Sequence, residues 1–391
     1  MFWKLLLSAL LALGLFGFLV STEAPIEDPL WWYSNEAPPK VTLAGPTGPL
    51  RGEVEAAIRF EPTDRARLES VTLDGRPLQV QGALVRVDTS QLTDGEHTVQ
   101  VTVRDTSRLQ NQAQASWTFR SDNTPPSLDV VVDPAAGPTE GKTFSIRIKT
   151  TEPVQGLAGE LEGRTLRLQP DGSGGFWAVE GIPPEPAYRQ LTLKVQGRDA
   201  LGNEATWEKK FPLTRTRFPE EVLELDPNQD YLAEAQIRAE EDGRLMPFYR
   251  QENGPARWSG TFLLPVEGPI TTEFATRRSY NGRFPQGNHA GLDYAAPQGA
   301  PVRATANGVV VFAQASPVRG NVMIVDHGAG VYSTYAHLQG FTANVGDQVK
   351  AGDVIARVGS TGLSTGPHLH WEIWVDSGNV DPLEWTQKAF P

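Results

Sequence analysis

Residues 366–375 read GPHLHWEIWV, and the reading of this stretch decides the rest. Its apolar residues alternate, which marks a strand. Strand side chains alternate between faces, so His368 and His370 share one side and Leu369 takes the other. Two imidazoles about 6.6 Å apart on one strand face are a poor choice for a core. Both can serve one metal centre, one as a ligand and the other as its neighbour.

Working outward, five of the six histidines fall in the last third of the chain: His289, His327, His337, His368 and His370. His289-Ala-Gly-Leu-Asp293 contains Gly291 and is followed by Ala-Ala-Pro297. These disfavour a helix and point to a loop entering a strand. A His and an Asp in one such segment can converge on a cation. The chain has no cysteine, so any metal must be held by His and carboxylates, and thiol nucleophiles and disulfide scaffolds are excluded. A catalytic zinc takes three protein ligands and keeps one position open. His289, Asp293 and one of the pair His368/His370 supply two nitrogens and a carboxylate. The remaining His, together with His337 of YSTYAHL, is then available for acid–base work and for charge developing on a carbonyl oxygen. His327, beside Asp326 and a Gly-rich turn, is read as a structural hydrogen-bonding group, and His97, in the turn TDGEHTV, has no chemical role. Gly359–Gly366 is rich in Gly, Ser and Thr, but no Lys follows it, so a phosphate loop is excluded and a groove wall with free backbone donors is expected.

These residues resemble the lysostaphin-type, or LytM-type, zinc endopeptidases. The resemblance rests on His289-xxx-Asp293, the isolated His337 after Tyr335-Ala336, and His368-Leu-His370. It is extended by RRSYNGRFPQGNHAGLDYAAPQGAPVRATANGVV and VGDQVKAGDVIARVGSTGLSTGPHLHWEI, four separated pieces in the right order over about 125 residues. It implies a mostly antiparallel β-domain with a long groove over residues 262–391. It also implies one zinc ion held by His289, Asp293 and His370, and catalytic roles for His337 and His368. The substrate it implies is a peptide cross-link or stem peptide of bacterial peptidoglycan.

Upstream, residues 40–122 and 123–215 read as two tandem immunoglobulin-like β-sandwiches, so the fold class is mainly β. Short alternating runs with turn signals carry that reading. HTVQVTVRDTSRLQNQAQASWTF and LTLKVQGRDALGNEATWEKKF both run strand, Arg-Asp, a loop holding Asn, then a strand holding Trp117 or Trp207. This is a repeat of one sandwich length. Residues 216–261 form an acidic, partly helical connector, with Asp230 capping a helix through LAEAQIRAEE, Gly243 as its stop, and the charge run as a solvated face. Residues 263–391 are expected to suffice for chemistry. Asn253, in QENGPARW, reads as an Asn-Gly turn, with a blocking group over the metal as the alternative.

Residues 1–22, MFWKLLLSALLALGLFGFLVST, carry one Lys before an apolar run, the pattern of an export signal. The run is long for a signal and Thr-Glu-Ala24 before Pro25 is a weak cleavage site, so an uncleaved anchor in the cytoplasmic membrane is expected, with a removed signal peptide as the alternative and the rest exported to the cell envelope. Residues 23–39 are a Pro-rich linker, with Trp31, Trp32 and Tyr33 as packing or interfacial aromatics. The net charge of −12 argues against a nucleic-acid partner. The leading expectation is a zinc-dependent peptidoglycan endopeptidase, with divisome or other cell-wall machinery proteins as further partners. The alternatives are a non-catalytic LytM-type activator of cell-wall amidases and a wall-binding module, and the completeness of the five positions favours the enzyme.

Overall fold

The computed structural model describes residues 37–251, 254–282, 287–376 and 378–391. The readings placed on residues 1–22, on most of 23–39 and on Asn253 lie outside the described residues. Among the described residues no helix is long and apolar enough to cross a membrane. The chain divides into two compact units, with the boundary between Thr124 and Pro125.

The first unit is a two-sheet sandwich. One sheet orders Lys40–Ala44, Glu53–Glu61 and Leu84–Asp88; the other orders Pro49–Leu50, Gln112–Ser121, Gly95–Asp105, Ala66–Leu73 and Arg76–Pro77. Alternation in HTVQVTV turns Val99, Val101 and Val103 inward, where they are fully buried with Ile58, Val85, Trp117 and Phe119. His97 differs from expectation: it lies on the Gly95–Asp105 strand rather than in a turn, is buried, and bonds Asp74 through Nδ1 at 2.7 Å.

The second unit begins with another sandwich. Its sheets order Gln169–Pro170, Phe176–Gly181, Thr143–Thr150, Leu128–Asp133 and Arg164–Thr165, Gln155–Leu161, Gln190–Arg198, Glu204–Pro212. The repeated Arg-Asp…Asn signature has one physical cause in both sandwiches. Asp105 accepts from the backbone N–H groups of Ser107 and Asn111 and from Asn111 Nδ2, and Asp199 accepts from those of Leu201 and Asn203 and from Asn203 Nδ2. Each Asp thus closes the loop between its two strands by satisfying backbone donors that no ladder reaches.

The Phe176–Gly181 strand is buried on both faces. Ala178 packs into its own sandwich with Phe144 and Ile146, whereas Trp177 and Val179 enter the core of the C-terminal domain. Trp177 meets Trp258 edge to face, with ring centroids 6.0 Å apart. A Cβ at Gly181 would lie 2.5 Å from the carbonyl oxygens of Val375 and Gly378, so the two backbones touch there. The core therefore extends beyond the expected self-sufficient stretch 263–391.

That domain is built on a ten-stranded sheet. Its main path runs Ile270–Thr272, Leu292–Ala295, His368–Val375, Val331–Phe341, Gly320–Asp326, Gly308–Ser316 and Gln348–Val349. Leu369, Trp371, Ile373 and Val375 face the large core. The opposite face of the same strand carries His368, His370, Glu372 and Trp374.

The connector departs from its sequence reading. Glu220–Leu223 is a strand pairing in parallel with Arg277–Tyr280. A 3-10 turn spans Asp230–Ala233, and the α-helix runs Ala235–Tyr249, straight through Gly243. Asp230 does not cap it; its carboxylate accepts from Asn281 Nδ2 at 2.9 Å. Leu245 and Tyr249 explain the extra length, because they pack on Phe312, Ile324, Tyr332 and Trp374, and tertiary burial outweighs the helix cost of one exposed Gly. The acidic run is not wholly solvated either: Glu241 is 1% exposed.

Candidate metal centre

Register brings the centre together. Asp293 on Leu292–Ala295 pairs directly with His370, and His370 pairs on its other side with Ala336, one residue before His337. His289 sits just ahead of the first of these strands, where its backbone exchanges hydrogen bonds with Ala275 and Thr276. Gly291 is required between them, since a Cβ would lie 2.1 Å from the Trp371 carbonyl oxygen.

The side chains of His289, Asp293 and His370 converge. His289 Nε2 is 2.9 Å from Asp293 Oδ1 and 2.8 Å from His370 Nδ1, and His370 Nδ1 is 2.8 Å from Asp293 Oδ1. The far atom of each is engaged elsewhere. His289 Nδ1 donates to the Glu273 carbonyl at 2.9 Å, His370 Nε2 donates to Glu372 Oε1 at 2.9 Å, and Asp293 Oδ2 accepts from Arg278 Nη2 at 2.6 Å. With those tautomers, three lone pairs face one another in a buried site. Three acceptors at such distances repel unless a cation sits among them. Two imidazoles and one carboxylate fit zinc, and zinc bonds of about 2.0–2.1 Å at tetrahedral angles need an opening of only about half an ångström.

His337 and His368 stand beside this cluster. Their ring centroids are 4.6 Å apart, and His368 Nε2 lies 3.8 Å from Asp293 Oδ1. His337 Nδ1 donates to the Thr361 carbonyl and His368 Nδ1 to the Gly366 carbonyl, both at 2.8 Å. Each Nε2 is therefore left facing the cleft. His337 has φ of 57°, a left-handed conformation that a non-glycine residue adopts at a cost and that is common at functional positions.

Burial shapes the charges. It pushes His289 down to about 4, against the pull of Asp293, and pushes His337 well below the ordinary imidazole range with help from His368 and His370. Burial would raise Asp293, but His289 and His370 outweigh it and hold the carboxyl well below the usual range. His370 is raised against the cost of its burial, because Asp293 and Glu372 both favour its protonated form. The cleft is a cavity of ≈ 660 Å³ whose lining includes Leu363–His368 and Glu221, Arg238 and Asp242 of the connector. His327 is remote in its contacts: it bonds the Asn307 carbonyl and Ser333 and is lowered to about 4 by burial.

Sequence reasoning missed Glu372, Arg278 and Arg319. Glu372 could have been found, since it continues the period-two face of His368 and His370. Arg278 and Arg319 reach the centre only through folding and carry no local signal.

Residues 287–382 match the model of Peptidase family M23. Over 95 residues the chain is 50% identical to the DD-carboxypeptidase/endopeptidase Mpg of Neisseria meningitidis, covering 24% of this chain and 22% of that protein. It is 38% identical over 117 residues to the peptidoglycan DD-endopeptidase ShyB of Vibrio cholerae, covering 29% and 27%. A crystal structure assigned to peptidase M23 from Pseudomonas aeruginosa is 27% identical, covers 65% of this chain and 96% of that one, and has a TM-score of 0.47. Residues 287–382 are thus a metallopeptidase-type domain, and within that class a Peptidase M23, or LytM-type, domain. The chain spans about a quarter of the length of the two curated relatives.

Proposed function

We propose that the protein is an exported zinc-dependent endopeptidase that hydrolyses peptide bonds in bacterial peptidoglycan. The observation that carries this reading is the convergence of three acceptor atoms from His289, Asp293 and His370 beside the neighbouring rings of His337 and His368. When bound, zinc supplies a Lewis acid and activates a water for attack on a carbonyl carbon. His289, Asp293 and His370 would hold it. His337, kept neutral by burial, offers Nε2 as a proton acceptor, and His368 Nε2, once it carries a proton, is placed to donate to a developing oxyanion or to the leaving amine. The peptidoglycan substrate is carried over from the relatives' names. Placement in the cell envelope, held by residues 1–22 in the cytoplasmic membrane, rests on the apolar run Leu5–Val20. The complete donor set favours an enzyme over an amidase activator or a wall-binding module.

The test is mass spectrometry of fragments released from purified peptidoglycan by the full-length protein, with and without a zinc chelator. Fragments released only with zinc support the reading, and their masses name the bond. His289→Ala is expected to lose zinc and turnover together. His337→Ala should keep zinc and lose roughly 10²–10⁴-fold in kcat. Release that survives chelation overturns the proposal.

A further inference from the structure

Glu241 lies in the connector helix, in a segment with the sequence character of a spacer, yet its carboxylate is buried and saturated. It accepts from Ser316 Oγ at 2.6 Å, Val318 N at 2.6 Å, Arg319 N at 3.1 Å and Arg319 Nη1 at 3.0 Å. Arg319 also bonds Asp242 through Nη1 at 2.9 Å and turns its Nε to Glu372 Oε1 at 2.7 Å. That same Glu372 oxygen accepts from His370 Nε2 at 2.9 Å. The other Glu372 oxygen accepts from Trp374 Nε1, and Trp374 is stacked on Tyr249 of the connector helix, 4.4 Å between centroids and 6° between planes. Both oxygens of Glu372 are thus positioned by side chains that the helix grips.

We infer that Glu241 is a positioning residue for the metal centre, acting through Arg319 and Glu372 on His370. The inference rests on reading His289, Asp293 and His370 as a zinc site. A guanidinium is planar and rigid, so where Glu241 holds one edge sets where Nε lies on the other. Nε in turn fixes the oxygen that orients the His370 ring and keeps its proton on Nε2, leaving Nδ1 for the metal. Outer partners of this kind raise a ligand's basicity and fix its tautomer. The helix is on this account a built-in support of the centre. A segment meant to come away would strand Arg319 beside an unpaired cluster of buried donors, which is costly.

The experiment measures zinc Kd by competition with a chromophoric chelator in full-length protein, and the visible absorption of the cobalt(II) form. Glu241→Gln is expected to weaken zinc binding roughly 10–100-fold and to shift the cobalt bands, with near-UV circular dichroism unchanged. In a Glu372→Gln background the same substitution should add little, because the relay is already cut. Equal zinc affinity in Glu241→Gln and wild type, or the full loss repeated in the Glu372→Gln background, overturns the inference. If Glu241→Gln fails to fold, Arg319→Lys is decisive in its place: it keeps the charge and loses the fork, so unchanged affinity overturns the relay and a comparable loss supports it. A wild-type protein without zinc affinity overturns the functional reading above and the relay with it. A wild type that binds zinc beside variants that bind it equally well overturns the relay alone.

Discussion

The two sandwiches are alike in sequence and unlike in use. Both close the loop before their Trp-bearing strand with an Asp–Asn network, and both bury alternating Val, Ile, Leu and Phe between two sheets. The first keeps its aromatic pair, Trp117 stacked on Phe119 at 4.5 Å, within its own core. The second sends Trp177 and Val179 outward from the Phe176–Gly181 strand into the core of the peptidase domain. A strand buried on both faces belongs to two cores at once, so repetition of a module does not imply repetition of its role.

The largest expected difference comes from deletion. Removing residues 40–122 should leave the zinc affinity and the thermal unfolding of the remaining unit unchanged. Removing 125–215 should yield aggregated or unfolded protein, because Trp258 and the backbone at Val375 and at Gly378 lose their cover. A folded, zinc-binding product of the second deletion would erase the contrast.

Next come the two tryptophans. Trp117→Ala and Trp177→Ala should each cost roughly 3–5 kcal/mol. Calorimetry should place the first loss in the transition of residues 37–124 alone, and the second in the joint unfolding of residues 125–391. A Trp177→Ala protein in which only the second sandwich melts early would show that the shared core is weakly coupled.

Acid should separate the units by sign. His327 is lowered from its ordinary value to about 4 by burial, so the unfolded chain binds the extra proton between pH 6.5 and 4. Its contribution is complete above pH 6.5 and is lost as pH falls toward 4, by about 3 kcal/mol. His97 shifts the other way, since Asp74 and the Thr93 carbonyl outweigh its burial. Its contribution is complete below pH 6.5 and is lost as pH rises through its folded value. Denaturant titrations of the two units at pH 7.5 and pH 5 check this, and a His327→Gln variant should flatten the slope of the second.

The smallest effect is at the rim of the shared interface. Lys142 bonds Asp381 at 2.8 Å with both side chains partly exposed, so Lys142→Ala should cost roughly 0.2–1 kcal/mol. In the first unit Arg86 pairs with Glu55 at 2.7 Å but both are more than half exposed, and Arg86→Ala should be within error of zero by the same denaturant titration.

Much of the centre was legible from local pattern. A period of two placed His368 and His370 on one face, and the Gly and Pro punctuation around His289 and Asp293 described a loop entering a strand. The helix of the connector was legible only in part. Its acidic composition spoke for solvent, and nothing within the segment signals that Glu241 meets Arg319 some 78 positions later. Gly243 reads as a stop because its intrinsic preference is local, whereas the contacts of Leu245 and Tyr249 that carry the helix past it are not.

By itself the sequence determined the strand faces and the donor types. Each of these follows from side-chain chemistry and backbone geometry over a few residues. Tertiary structure alone decided that His289, Asp293 and His370 share one point, that Arg278 and, through Glu372, Arg319 hold its outer atoms, and that the second sandwich and the connector complete the C-terminal domain. Those depend on register between distant strands and on which buried charges find partners, and both are settled by the free energy of the whole packed chain.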